Sequence, residues 1–185
     1  MNILSLSYGK DSLACFGACE QLGIKIDRVV HAEVWATDTI PADLPPMVEF
    51  KRKADKIIKE RWGLEVEHYR ADNTYEKQFY AMRHHKEMQK DVLYGFPIVK
   101  GAWCNSKLKM VAINKCHEKD ATYIIGIASD EPNRFHCLND KKISPLVEGG
   151  GQKQCAVNGA KKTICFHLFT QRQQEAVVGF ATIKA

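Results

Sequence analysis

The chain has 185 residues, of which 45% are hydrophobic and 26% are charged, and its formal net charge is +5. These values suit a globular protein with a buried core and exclude a low-complexity or fibrous protein. Residues 149–185 hold five basic residues and one acidic residue, so the first 148 residues carry only +1, and the net charge does not indicate a nucleic-acid partner. No apolar run approaches the roughly 18 residues of a membrane span and no secretory signal is visible, so we expect a cytoplasmic protein without a membrane partner.

A polar turn lies between the first predicted strand and the first predicted helix. The strand covers residues 2–6, the helix begins near residue 13, and Ser7-Tyr8-Gly9-Lys10-Asp11-Ser12 connects them. A strand, a tight turn and a helix in this order direct backbone N–H groups toward an anion. The spacing is not that of a Walker A loop. The turn is therefore a candidate phosphate-binding loop, and the alternative is an ordinary turn with a capping aspartate.

The residue types of this first loop suit phosphate binding. Gly9 lets the backbone approach a phosphate closely, and Lys10 supplies a positive charge. The hydroxyls of Ser7 and Ser12 can donate hydrogen bonds, while Asp11 lies at or near the N-cap of the helix. We predict that the nucleotide contacts of the loop come from Ser7, Tyr8, Gly9, Lys10, Asp11 and Ser12.

Strand and helix patterns alternate along the rest of the first 148 residues. The predicted strands cover 28–35, 66–69 and 121–127, with an extended piece at 142–146, and the predicted helices cover 45–62, 74–85 and 106–119. This alternation predicts a Rossmann-like three-layer α/β/α sandwich with a mostly parallel sheet. Polar segments at 7–12, 37–39 and 128–134 each follow a strand, and ligands of parallel sheets bind at such strand ends.

With these segments in place, residues 1–148 resemble the phosphoadenosine phosphosulfate (PAPS) reductase family of the adenine nucleotide alpha-hydrolase (PP-loop) superfamily. The first loop is similar to the S-G-G-K-D-S pyrophosphate loop of that superfamily, with Tyr8 in place of the first glycine. The other segments that are similar to family motifs are Ala36–Thr39, Trp103–Lys109, Gly126–Arg134 and Lys142–Leu146. The chain looks most like the short members that occur in phages and mobile elements.

The resemblance implies a nucleotide-binding domain whose ligand is PAPS, adenosine 5′-phosphosulfate (APS) or ATP. The phosphate group would lie on the first loop, with Lys10 and Arg134 offsetting its charge. If the substrate is ATP, Asp38 or Asp130 could hold Mg²⁺. The alternative for Asp38 is an acidic turn residue, and the alternative for Arg134 is one member of a surface ion pair.

Cys104 and Lys107 are the candidate catalytic residues, because the family's cysteine–lysine segment usually faces the sulfonucleotide. The neighbouring lysines at 107 and 109 make Cys104 a candidate nucleophile or iron–sulfur ligand. A buried thiol at the start of a helix is the alternative. The implied activity is thiol-dependent reduction of a sulfonucleotide, or a related sulfur transfer, with a thioredoxin-like electron donor.

The C-terminal sequence departs from the family pattern, because the usual C-terminal catalytic cysteine motif is absent. We predict that residues 149–185 are a frameshifted and poorly packed tail. Read one base earlier, residues 175–184 can encode Gly-Gly-Cys-Trp-Phe-Cys-His-Asn-Gln, which resembles the family's continuation. A 4Fe–4S cluster is then expected only in the unshifted protein. A genuine tail, in which Cys165 and His167 do chemistry, is the alternative.

Two other functions stay open beside sulfonucleotide reduction. One is an ATP pyrophosphatase that adenylates a substrate before thiolation or amidation. The other is a catalytically inactive remnant that binds a nucleotide without transforming it.

Overall fold

The computed structural model describes residues 1–85, 88–98 and 102–147, so the predicted tail lies outside the described residues. The strands in this part of the chain are β1 (Asn2–Leu6), β2 (Arg28–Glu33), β3 (Val66–Arg70), β4 (Met82–His85), β5 (Lys90–Leu93), β6 (Thr122–Ile125) and β7 (Lys142–Ile143). The α-helices are α1 (Lys10–Leu22), α2 (Pro45–Trp62), α3 (Tyr75–Tyr80) and α4 (Met110–Lys115), with a π-helical segment at Cys104–Lys109 and a 3₁₀ helix at Pro132–Cys137. None of these described helices has the length and apolar character needed to cross a membrane.

Five of the strands form a mostly parallel sheet in the order β3-β2-β1-β6-β7. β1 and β6 are parallel, with Asn2 opposite Thr122 and Ser5 opposite Ile125, and β7 pairs in parallel with β6. β4 and β5 form a separate antiparallel hairpin. Helices alternate with the strands of the main sheet, so the predicted α/β, Rossmann-like fold is confirmed.

The chain divides into two compact units. Unit 1 comprises Met1–Val29, Ile58–Glu65 and the described residues from 120 onward, and unit 2 comprises Val30–Ile57 and Val66–Lys119. In unit 1, α1 contacts both β1 and β6, and burial of apolar side chains between these elements is its main source of stability. The side chains in these three elements that are essentially inaccessible to solvent include Ile3, Leu4, Phe16 and Ile124.

Unit 2 has an aromatic core around Trp103. The buried residues of this core are Ala71, Trp103 and Leu108. The Trp103 ring lies 4.8 Å from the ring of Tyr75, and its Nε1 donates to the Gly95 carbonyl at 3.0 Å. These contacts hold the start of the π-helical segment against α3 and against the end of the β4–β5 hairpin.

Residues 81–85 differ from the prediction of one helix over 74–85. Thr74 caps α3 as expected, because its side chain accepts from the Lys77 N–H, but α3 ends at Tyr80. Ala81 has an extended backbone, and its carbonyl accepts from the Tyr94 N–H at 2.9 Å. Cross-strand pairing thus satisfies the backbone groups that a further helical turn would have satisfied.

Candidate functional site

A hydrogen-bond network centred on Ser12 holds the first loop. The Ser12 Oγ donates to the Gly9 carbonyl at 3.0 Å and accepts from the Ser7 N–H at 3.2 Å. The Ser7 Oγ lies 3.0 Å from the same oxygen. Ser12 is buried, whereas Ser7, Gly9 and Lys10 are exposed. Hydrogen bonds from its own side chains therefore fix the conformation of the loop, while much of its surface stays exposed.

The N-terminus of α1 lies directly behind the loop. Gly9 is the N-cap, in an extended conformation, and the helix begins at Lys10. Asp11 is therefore near the N-cap, in the first helical turn, where its carboxylate complements the helix dipole. The first N–H groups of a helix have no partner within the helix, so this 13-residue helix directs donors toward the loop.

Tyr8 has the backbone conformation that a glycine adopts freely. Its φ of 57° lies in the left-handed region, which costs a non-glycine residue roughly 1–2 kcal/mol. The side chain is only 4% exposed, and burial of the aromatic ring opposes that cost. The loop thus has, at the position where the S-G-G-K-D-S loop that it resembles has its first glycine, the conformation for which glycine is suited.

Gly126, one residue beyond β6, packs against the first turn of α1. A Cβ atom at this position would lie 2.5 Å from the Ser12 backbone nitrogen and 2.7 Å from the Asp11 carbonyl carbon. Both neighbours are backbone atoms, so a side chain fits only if the loop or the strand shifts. The close approach fixes the start of α1 at the carboxyl end of β6, the strand that pairs with β1.

The turn after β6 is held by two side chains. The Ser144 Oγ, fully buried, donates to the Ile127 carbonyl at 2.7 Å. Glu131 accepts from the Ala128 N–H at 3.4 Å and pairs with Arg134 at 3.0 Å. Arg134 is exposed and paired with a neighbour three residues away, which is the arrangement that the surface ion-pair alternative describes.

The predicted site residues are divided between the two units. Asp130 and Arg134 belong to unit 1 together with the first loop, and Asp130 is exposed. Asp38 belongs to unit 2, where its carboxylate pairs with Lys77 at 2.6 Å. Asp38 is therefore a loop residue engaged with α3, and its proposed role at a nucleotide stays a prediction.

Cys104 begins the π-helical segment, two residues before the predicted helix start at 106. Its side chain is partly buried and packs against the core cluster of Ala71, Trp103 and Leu108. Lys107 lies on the same segment and is exposed. The thiol is thus partly buried, and the roles of Cys104 and Lys107 in chemistry stay predictions.

The described residues contain no ready-made metal site. Over 1–85, 88–98 and 102–147, no group of three or more His, Cys, Asp and Glu side chains is arranged to hold a metal ion. Mg²⁺ is commonly held by one or two carboxylates together with substrate phosphates, so a nucleotide would have to complete its coordination here.

A charged network in unit 2 joins β2, α2 and β3 through His68. The His68 Nδ1 lies 2.8 Å from Glu33 Oε1, and its Nε2 lies 3.1 Å from Asp55 Oδ2. Both nitrogens can donate only when the imidazole is protonated. The hydrogen bond to Asp55 raises the pKa of His68, partial burial opposes this shift, and Glu33 adds to it. The His31 ring lies 5.5 Å away, edge to face.

We expect this network to make unfolding depend on pH. Because the folded pKa of His68 lies above the unfolded value of about 6.5, its stabilisation is fully present below pH 6.5 and is lost as the pH rises through the folded pKa. Urea unfolding between pH 5.5 and 8.5 measures this loss. His68→Gln should remove that part of the slope, whereas His136→Gln, at an exposed site in unit 1, should not. A wild-type slope that survives His68→Gln would contradict the assignment.

Two supporting residues were not singled out from the sequence. Ser144 lies within the extended piece predicted at 142–146, and Glu131 lies within the segment Gly126–Arg134. A serine flanked by apolar residues gives no sequence signal for the hydrogen bond that it makes. Gly126 carries a readable signal, since a glycine directly after a buried strand often marks a close backbone approach.

Comparison of the chain with protein-family models, with curated proteins and with solved structures found no match. The functional argument is therefore carried by the residues and contacts of the first loop, and the family stays a resemblance.

Proposed function

We propose that the chain binds an adenine nucleotide at the first loop, and that it is a sulfonucleotide-binding member of the PAPS reductase family. The observation that carries this proposal is the contact between Gly126 and the backbone of α1 at Ser12. It fixes a helix N-terminus and a polar loop at the carboxyl ends of two adjacent parallel strands, β1 and β6. Nucleotides bind to parallel sheets in such places.

The chemistry of the loop fits a phosphate or sulfate group. The helix N-terminus offers backbone donors, and the exposed Lys10 offers a cation. The left-handed backbone at Tyr8 supports the resemblance to the S-G-G-K-D-S loop. These features favour anion binding over an ordinary turn.

The proposed reaction is thiol-dependent reduction of the bound sulfonucleotide. A cysteine thiolate, for which Cys104 is the candidate, attacks the sulfonate sulfur, the bond from sulfur to the phosphate oxygen breaks, and the nucleotide leaves. Lys107 is the candidate for offsetting the sulfonate charge. One thiol of a dithiol donor then displaces sulfite and forms a mixed disulfide, which the second donor thiol resolves. The donor becomes a disulfide and supplies two electrons.

We expect Lys10→Ala to weaken nucleotide binding by about 10-fold or more, since a hydrogen bond to a charged group contributes roughly 1.5–3 kcal/mol. Isothermal titration with APS and with ATP measures the change. Lys25→Ala is the matched control, because Lys25 is an exposed lysine of unit 1 whose ion pair with Asp27 is on the surface. Unchanged affinity in Lys10→Ala would show that the loop assignment is wrong.

Product assays separate the proposed reaction from its alternatives. Sulfite released from APS or PAPS in the presence of thioredoxin supports the reductase. Pyrophosphate released from ATP identifies the pyrophosphatase instead. Nucleotide binding without either product identifies a remnant that has lost its chemistry.

The predicted frameshift at residues 149–185 has its own test. We expect the nucleotide sequence across codons 145–185 and beyond to lack one base near codon 149, with an open frame that continues through Cys-Trp-Phe-Cys. The product assays should then be repeated with the repaired gene. An uninterrupted frame would contradict the frameshift and would make Cys165, together with Cys104, the pair to substitute.

A further inference from the structure

Residues 77–109 carry the whole net positive charge of the chain. This segment holds seven Lys and Arg residues and two acidic residues, a net charge of +5, and the other 152 residues hold 20 basic and 20 acidic residues. The first 148 residues carry a net charge of only +1, because the residues outside this segment in that part of the chain have a net negative charge. The segment belongs to unit 2 and includes the β4–β5 hairpin.

The open end of the hairpin carries an exposed aromatic platform, formed by Phe79, Tyr80 and Phe96. Tyr80 is 62% exposed and Phe96 is 76% exposed. Each of these two rings lies 4.9 Å from the Phe79 ring, at steep interplanar angles of 78° and 73°. Phe79 in turn packs against the Trp103 core cluster. The two exposed rings are therefore held close together on a packed support, although large aromatic side chains are normally buried.

One face of the same hairpin is cationic. Side chains alternate between the faces of a strand, so Arg83 and His85 lie on one face, and the register places Lys90 opposite His85 on that face. The Arg83 guanidinium lies over the Tyr94 ring, 5.4 Å from its centroid. The Tyr94 N–H donates to the carbonyl of Ala81, the residue after Tyr80. This hydrogen bond holds the cationic face next to the aromatic platform.

We propose that the aromatic platform and the cationic face together bind single-stranded nucleic acid. Bases would stack on Tyr80 and Phe96, and the sugar–phosphate backbone would pass along Arg83 and Lys90. Aromatic rings beside a positively charged track are the combination that binds single strands without reading their sequence. The surface lies apart in sequence from the first loop, and the proposal does not depend on nucleotide binding there.

Charge and burial argue against two other occupants. A second copy of the chain docked on this surface would bring Arg83 and Lys90 close to the same residues of its partner, and like charges repel. Insertion into a membrane would use the other hairpin face, where the exposed Met82 and Leu93 are paired across the strands. That face also carries Asp91, in an exposed ion pair with His84, and burying it in hydrocarbon would be costly.

Fluorescence anisotropy with a labelled 12-nucleotide oligo(dT) tests the proposal in the full chain. We expect binding that weakens as salt rises, with log K falling against log salt at about 0.7 per phosphate contacted. Phe96→Leu keeps an apolar side chain but removes the stacking face, so we expect the affinity for the oligonucleotide to fall about 5-fold or more. Phe96→Tyr keeps an aromatic ring, so we expect it to keep the wild-type affinity. Arg83→Gln should lower both the affinity and the salt slope.

Matched controls separate this surface from other basic residues. Leu44→Ala removes an exposed apolar side chain of unit 2, and Lys53→Gln removes a lysine of α2; neither should change the affinity. Oligonucleotide binding that is insensitive to Phe96→Leu would assign it to another surface and overturn the proposal. The absence of oligonucleotide binding would also overturn it. So would binding of the protein to phosphatidylserine vesicles but not to the oligonucleotide, with vesicle binding unchanged in Phe96→Leu.

Discussion

Gly126→Ala is expected to destabilise the protein by about 3 kcal/mol, which is the upper end of what overpacking usually costs. The added Cβ would meet the backbone of Ser12 at 2.5 Å and the backbone of Asp11 at 2.7 Å. Flexible side chains can rotate away from such a contact, but these atoms belong to the first turn of a packed helix. Relief therefore requires α1 to separate from β6, and urea unfolding of the variant measures its cost.

The same substitution should disturb nucleotide binding, because the contact positions the first loop. Gly9→Ala is the matched control for stability, since its Cβ would meet only the Ser7 Oγ, at 3.4 Å, and its backbone is extended. We expect Gly9→Ala to change the free energy of unfolding by less than about 1 kcal/mol. Equal stability losses in the two variants would contradict the specific role of Gly126.

Part of the main sheet could be predicted from the sequence because two of its strands are short apolar runs bounded by polar turns. β1 and β6 were recognisable in this way, and α2 matches its predicted bounds of 45–62 because its apolar residues recur at helical spacing. The first loop was equally readable, since its place between strand and helix and its residue types agree. Local signals and tertiary packing point to the same structure in these elements.

The β4–β5 hairpin could not be predicted in the same way. Residues 82–85 are polar except for Met82, so they lack the apolar alternation that marks a half-buried strand. The hairpin depends on pairing with residues 90–93 and on the contact between Phe79 and Phe96. Such contacts join residues that are distant in the chain, and a pattern read over one window does not contain them.

The candidate site shows a similar division between local and distant information. The sequence places Arg134 and Asp38 in segments that follow strands. Arg134 lies in the 3₁₀ helix after β6 and Asp38 in the loop after β2, but the sequence does not show their partners. Glu131 and Lys77 pair with these residues in the structure. An ion pair with a neighbour competes with a role at a nucleotide, so the position of a charged residue in a motif does not by itself fix its function.

Ser144→Ala is expected to lower the free energy of unfolding by about 1–3 kcal/mol, which is the cost of leaving a buried polar group without its partner. Ser144 is fully buried, and its Oγ donates to the Ile127 carbonyl at 2.7 Å. Ile127 begins the turn that leads to Arg134, so the substitution loosens the connection between β7 and that turn. Urea unfolding measures the stability, and hydrogen exchange across residues 126–134 locates the change.

Ser106→Ala is the control for this prediction. Its Oγ also donates to a backbone carbonyl, that of Trp103 at 3.3 Å, but the residue is exposed, so water can replace the hydroxyl. We expect a loss of less than about 0.5 kcal/mol there. Ser144→Cys, which keeps a weak S–H donor of similar size, should fall between the wild type and Ser144→Ala. If Ser144→Ala were as stable as the wild type, Ser144 would be a packing residue, and the turn after β6 would be held by Glu131 and its neighbours alone.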